Sequence, residues 1–455
     1  MKKISIFILV AILINVAYPQ NRSDLDEFIL EQMEIKHVPG LSAVIIIDDT
    51  VNWNGNYGYM NLADSIPVHD STIFNIFSIG KAVTTSCVMQ LWDKGLLGID
   101  QNINDFIPFY IKNTNTGSDS ITARMLASHS SSLKEPDYVD YFLYGDPTES
   151  LASFLENYYC ESGSYYYYNH FSFQNPGTIF YYNNSGIGLL GYLVEPLTGL
   201  YFDQYARDSL LLPLEMNRSA WFLSELDTMD LATGYSYVGG FFTPWGHLGH
   251  PAYPGITLRS TALELANFCI MLLNEGSYKG MQILSPEAVS TMATVQDPNW
   301  STAYGTAGLG LFMREDLGDR VVWGHNGGSG AGYAAHMYFC DDENTGVVIT
   351  TNSEQYMPVL VEYLFDYALS VATAVPEKIT LSPVPVKIFP NPATTGISID
   401  CKHKIIGLKV FDISGNQLDI GPGIRNVDIS NLNAGIYILE VVTEEGLAQV
   451  KFIKK

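Results

Sequence analysis

Across 455 residues the chain carries 24 Lys and Arg against 48 Asp and Glu, a formal net charge of −24, with 47% hydrophobic residues. So acidic a surface repels phosphate backbones and excludes a nucleic-acid partner, while the length accommodates one large mixed domain plus a small one. The five cysteines, Cys87, Cys160, Cys269, Cys340 and Cys401, make no CxxC pair, and no HExxH, Cys/His cluster or Walker loop occurs, so no disulfide framework, metal or other cofactor is expected.

Residues 1–20 read as a secretory signal: Lys2 and Lys3, then an apolar run from Ile4 to Val16, too short to span a bilayer comfortably. No other run approaches the roughly 18 apolar residues a span needs, so no permanent membrane span is expected. Leu41–Ile47 is a β-branched apolar run bounded by turn residues, hence a buried strand. Next comes Ser78-Ile79-Gly80-Lys81, opening a helical pattern that runs to Leu97 with Gly95 near its end. A lysine three residues after a serine at a helix start lies one turn away, so its ammonium faces the hydroxyl. The helix start favours negative charge, and the Ser78 amide is a ready oxyanion donor. The spacing alone is weak, since Ser131-Ser132-Leu133-Lys134 repeats it, but that copy follows Ser128-His129-Ser130 in a loop-like stretch. A plain helix-capping serine is the alternative reading of Ser78.

The aromatic run Tyr165 to Tyr168, with Phe171 and Phe173, reads either as an acyl pocket or as an exposed or packed loop. Tyr182-Asn183-Asn184 precedes a glycine-rich apolar stretch; beside a lysine, Tyr182 has the chemistry of a general base, and Asn184 that of a group holding the lysine and a substrate amide. Its spacing recurs at Tyr59, Tyr167 and Tyr181. His325-Asn326-Gly327-Gly328 follows Val321-Val322-Trp323-Gly324; glycines there let a strand approach a substrate closely, with the Gly328 amide a second oxyanion donor. The other reading is a turn with a solvated histidine, and His247-Leu248-Gly249 repeats the pattern. Thr345–Thr350 is a second buried strand and Pro358–Ser370 another helix. Strands near both ends with helices between them predict an α+β domain whose antiparallel sheet joins the two chain ends. A proline-dotted seam, 374–385, leads to short alternating runs at 407–413 and 435–442, a small β-sandwich.

Three ordered motifs with their flanks, at Phe74 to Pro108, Ile121 to Ser130, Pro176 to Gly199 and Gly255 to Thr261, resemble the β-lactamase-related serine hydrolases: class C β-lactamases, DD-peptidases, D-aminopeptidases and family VIII esterases of the peptidase S12 type. The resemblance covers about residues 24–373. It implies a β-lactamase/transpeptidase-like antiparallel sheet flanked by helices. It also implies that Ser78 attacks an acyl carbonyl, Tyr182 with Lys81 moves its proton, and the amides of Ser78 and Gly328 hold the oxyanion. Asn184, His325 and Gly327 complete the set. Where many relatives carry Lys-Thr-Gly this chain has His325-Asn326-Gly327, which removes a fixed positive charge and points to an ester or amide substrate before a β-lactam. Ser132 also stands where the family's His-Thr-Ser-Gly loop has glycine.

The tail resembles the C-terminal sorting domain of the type IX (Por) secretion system, through Phe389-Pro390-Asn391-Pro392-Ala393, Phe411-Asp412-Ile413-Ser414-Gly415, Leu432-Asn433-Ala434-Gly435-Ile436-Tyr437 and Lys451-Phe452-Ile453-Lys454-Lys455. The expected organisation is a signal peptide (1–20), hydrolase domain (21–373), linker (374–385) and sorting β-domain (386–455). The expected protein is secreted or at the cell surface, exported through the periplasm with the type IX machinery as partner. A β-lactamase, a D-alanyl-D-alanine carboxypeptidase, and a weakly catalytic penicillin-binding-like sensor or surface binding protein are the alternatives to an ester or amide hydrolase.

Overall fold

The structure, a computed structural model, describes residues 22–303, 305–328, 330–374, 385–412, 417–418, 425–443 and 446–455. The expected signal peptide, most of the linker and the Ser414-Gly415 turn lie outside these residues. The chain divides after Ala372 into two compact units.

In the first unit a nine-stranded antiparallel sheet joins the two ends of the domain. Strands β1 (Gly40–Ile47), β2 (Thr50–Asn61) and β3 (Ile66–Pro67) come from the N-terminal side, and β4 (Ser301–Thr302), β5 (Gly305–Ala307), β6 (Phe312–Arg314), β7 (Val322–Gly328), β8 (Ala334–Cys340) and β9 (Thr345–Thr351) from the C-terminal side. Their order is β4-β5-β6-β7-β8-β9-β1-β2-β3. The closing pair is β1 against β9, from Leu41 opposite Thr351 to Ile47 opposite Thr345.

Both runs are buried along nearly their whole length, with Ser42, Thr345, Thr350 and Thr351 as their polar members, because both sheet faces are covered. Ala43, Ile45, Val347 and Ile349 pack against helices α1 (Arg22–Lys36) and α6 (Pro358–Ala374) through Leu25, Ile29, Leu360, Leu364 and Phe365. Val44, Ile46 and Val348 face the larger core with α2 (Gly80–Asp93), α3 (Ala123–Ala127), α4 (Asn184–Tyr192) and α5 (Ala262–Leu273). The period-2 alternation of side chains thus feeds two cores from one strand.

The second unit has two small antiparallel sheets. One holds Val386–Phe389, Gly396–Cys401 and Asn426–Asp428; the other holds Gln417–Leu418, Ile405–Asp412, Gly435–Thr443 and Gly446–Lys454. They share one core, with Ile397, Ile399, Val410, Leu439, Val441 and Phe452 inside, while Ile436 and Ile438 of the alternating run face solvent. No helix among the described residues is long and apolar enough to cross a membrane.

Candidate active site

The chain enters the site through strained backbone. Phe77 sits at φ +43°, a left-handed conformation costly for a side-chain-bearing residue, and is held there by its amide donating to Asn75 Oδ1 at 2.9 Å. Ser78 follows in a single 3₁₀ turn, Phe77–Ile79, that runs directly into α2. One turn on, Lys81 Nζ donates to Ser78 Oγ at 2.9 Å and to the Gly255 carbonyl at 2.7 Å. Lys81 is fully buried. Burial lowers its pKa from 10.5 to about 7, against the opposing pull of Glu135.

Tyr182 lies across from it, with Lys81 Nζ 5.0 Å from the ring centroid, and His129 packs on the same ring at 4.4 Å. His325 comes from the middle of β7, a strand position and not a turn, and is buried. Burial and Lys81 together push its pKa down to about 3, so the imidazole is neutral. Its Nδ1 lies 2.5 Å from the Asn326 carbonyl, the arrangement of an Nδ1–H donor, which leaves Nε2 as a buried acceptor without a partner among the described residues.

Gly327 and Gly328 have separate tasks. A Cβ on Gly327 would lie 1.9 Å from the Ile76 carbonyl oxygen, so only glycine lets β7 touch the segment leading to Ser78. Gly328 faces the cleft, where a Cβ would lie 2.6 Å from the Tyr356 hydroxyl. Gly327→Ala is therefore expected to force β7 and the Ser78 segment apart, at a cost of about 1–3 kcal/mol in stability and most of the serine's reactivity. A thermal melt and a serine-labelling rate on the same preparation check both effects.

One cleft of about 410 Å³ gathers Ser78, Tyr182, Asn184, His325 and Gly328, with Phe77, Lys134, Glu135, Tyr138, Phe142, Tyr181, Ile256, Asn326 and Tyr356 among the other walls. Lys81 stands behind Ser78 and Gly327 beneath it. Asn184 opens α4; its side-chain amide donates to Glu135 at 2.6 Å, and not to the lysine.

The repeated motifs go elsewhere. Lys134 of the second Ser-x-x-Lys copy donates to Asn169 Oδ1 and lies over the Tyr181 ring, while Ser131 is buried. Tyr59 and Tyr167 are exposed, and Tyr181 contributes only a cleft wall. The aromatic run is a loop outside the cleft walls, partly packed and partly exposed: Tyr165 meets Tyr141 edge-on and Tyr166 lies near the buried Phe171, while Tyr167, Tyr168 and Phe173 are exposed. Ser132 has φ +62°, the conformation glycine tolerates best, and its hydroxyl accepts from Asn113 Nδ2 at 2.6 Å.

Motif spacing does not reveal Glu135 and Tyr356, which line the cleft, or His129, which packs on Tyr182. Glu135 accepts from the Asn184 amide, the Asn184 side chain and the Ser185 amide at 2.6, 2.6 and 2.7 Å.

Comparison with known proteins places this geometry among relatives. The family described as Beta-lactamase matches residues 25–368, and the secretion system C-terminal sorting domain matches residues 387–455. Protein flp of Staphylococcus aureus (strain N315) is 24% identical over 351 residues, covering 76% of this chain and 66% of its own length. Beta-lactamase-like protein 2 of Dictyostelium discoideum is 28% identical over 330 residues, covering 67% and 58%. The chain thus spans less than two thirds of the length of these curated relatives. Two solved structures share the fold. The octameric penicillin-binding protein homologue from Pyrococcus abyssi has a TM-score of 0.62 at 22% identity, over 94% of this chain and 90% of that one. The penicillin-binding protein from Bacillus halodurans has a TM-score of 0.59 at 20% identity, over 78% and 100%.

Proposed function

Because the chain belongs to the beta-lactamase family and carries a secretion system C-terminal sorting domain, we propose that it is an exported serine hydrolase that cleaves ester or amide substrates through an acyl-enzyme on Ser78. The observation that carries this reading is the 2.9 Å contact between Ser78 Oγ and the buried Lys81 Nζ. With its pKa brought down to about 7, Lys81 is neutral in an appreciable fraction at neutral pH and accepts the serine proton along that same contact.

In the proposed sequence Ser78 Oγ adds to the acyl carbonyl as its proton passes to Lys81. The oxyanion rests on the amides of Ser78 and Gly328. Tyr182, beside Lys81, passes the proton to the leaving oxygen or nitrogen. Water then attacks the acyl-enzyme, with the same pair as base, and frees Ser78. Asn184 and His325 line the path, His325 with an acceptor nitrogen and no charge.

That neutrality supports ester or short amide substrates ahead of β-lactams or D-alanyl-D-alanine, whose carboxylates favour a fixed cation at this position. A non-hydrolytic sensor is the reading of another class, and it has no use for a lysine that readily gives up its proton beside its serine. For export, the proposed route is a signal peptide in residues 1–20 to the periplasm, then the type IX machinery acting on the tail.

The test is intact mass of the full chain after brief exposure to a fluorophosphonate, with hydrolysis of short p-nitrophenyl esters and a chromogenic cephalosporin followed in parallel. One adduct, with ester turnover exceeding cephalosporin turnover, supports the proposal. No adduct removes it, and faster cephalosporin cleavage moves the assignment to a β-lactamase.

A further inference from the structure

Glu135 has no part in the chemistry above, yet its carboxylate is fully engaged within the cleft. Oε1 accepts the Asn184 backbone N–H and side-chain N–H, both at 2.6 Å, and Oε2 accepts the Ser185 N–H at 2.7 Å. These are orphan donors of the first turn of α4, a helix with no acidic residue in that turn. Its N-cap Asn183 takes the Gly186 N–H at 2.5 Å, so Glu135 completes the cap from 49 residues away. A carboxylate at a helix start is favoured by the dipole. Pro136, which follows it, restricts Glu135 to extended backbone.

Resting on the reading of Ser78 as nucleophile and Lys81 as its base, we propose that Glu135 is a positioning residue with two tasks: it pins Asn184, and with it the segment bearing Tyr182, and it provides the counter-charge for the buried Lys81. Lys81 is faced by Ser78 on its own segment, by His129 and Glu135 from the loop after α3, by Tyr182 ahead of α4, and by His325 from β7. Burial holds both histidines neutral. Glu135 is the acid of this set: burial raises its own pKa, the Asn184 and Ser185 N–H groups and Lys81 oppose that rise, and its carboxylate in turn raises the proton affinity of the Lys81 amine, which burial lowers. Around Glu135 itself stand Lys81 and the buried Tyr158 and Tyr159, whose hydroxyls burial keeps protonated, and Asp137, which is engaged by His170 and Tyr158. Without its counter-charge Lys81 gives up its proton at lower pH.

The experiment compares the full chain with Glu135→Gln and Glu135→Asp. The Lys81 titration is followed by ¹³C NMR of ε-labelled lysine, its signal identified by its loss in Lys81→Met, and the rate of fluorophosphonate labelling is followed against pH. Glu135→Gln is expected to move the Lys81 midpoint down by about one pH unit, with the acid limb of labelling following it. The plateau rate should fall roughly tenfold as Tyr182 and Asn184 loosen. Glu135→Asp keeps the charge, so its midpoint stays at the wild-type value while its plateau falls. An unmoved midpoint in the glutamine variant reduces Glu135 to a helix cap and overturns the proposal, as does an aspartate variant displaced as far as the glutamine one. Should Glu135→Gln not fold, Glu135→Ala is titrated in its place, and an unmoved Lys81 midpoint there overturns the proposal in the same way. A wild-type chain that is never labelled overturns the reading of Ser78, whereas the NMR midpoints still judge the counter-charge.

Discussion

Ser78→Ala is expected to abolish fluorophosphonate labelling and to lower ester turnover by at least about 10³-fold, in line with the loss of other covalent nucleophiles. The melting temperature should stay within about 2 °C of wild type, as for most changes that remove no core volume. The structural grounds are that Ser78 lines the cleft and, among the described residues, its hydroxyl bonds to Lys81 alone, which keeps the Gly255 carbonyl as a second acceptor. Removing it therefore deletes the attacking atom and little else. Intact mass, ester kinetics and a thermal melt on one preparation read all three quantities. An adduct of unchanged yield in Ser78→Ala would place the nucleophile elsewhere. Ser131, in the repeated motif, is the obvious rival, but its lysine is turned to Asn169 and the Tyr181 ring.

The strands that meet at the middle of the sheet were legible from the sequence because their signal is local and strong. Leu41–Ile47 and Thr345–Thr350 are β-branched runs, and the structure pairs them and buries both faces. Ser78 and Lys81 were legible because a three-residue spacing on a helix fixes their contact without reference to the rest of the fold. Other features were out of reach for equally physical reasons. Glu135 is a lone acid in a loop, and nothing in its neighbours announces that Asn184 and Ser185 fold back onto it from 49 and 50 residues away. For His325 the sequence favours a cleft residue but leaves a solvated turn residue open. The distinction depends on burial in a strand between Phe312 and Tyr182, which no short window encodes. Ser132 shows the converse: a departure from the family's glycine that sequence left unexplained has a clear place in a left-handed turn, with Asn113 bound to its hydroxyl.

These contacts make Lys81 the residue on which stability and reactivity pull in opposite directions. Lys81→Met is expected to slow Ser78 labelling by about 10²- to 10⁴-fold, the span of a lost general base. Lys81→Arg should be no better, because a guanidinium stays protonated at any working pH. In the wild type the labelling rate should climb as pH rises through about 7, where Lys81 sheds its proton, and stand roughly tenfold below its plateau one pH unit lower. The same lowered pKa governs folding. Between about 7 and 10.5 the unfolded chain keeps this lysine protonated while the folded chain releases the proton, so the lysine's contribution to stability grows more favourable with rising pH. Melts of wild type and Lys81→Met should show the wild type gaining on the variant as pH rises from about 7 to 10, and a constant difference below about pH 6. A labelling profile without a limb near neutrality would contradict a buried, readily deprotonated lysine. A stability difference independent of pH throughout would mean that Lys81 titrates alike in both states, and that some other group takes the serine's proton.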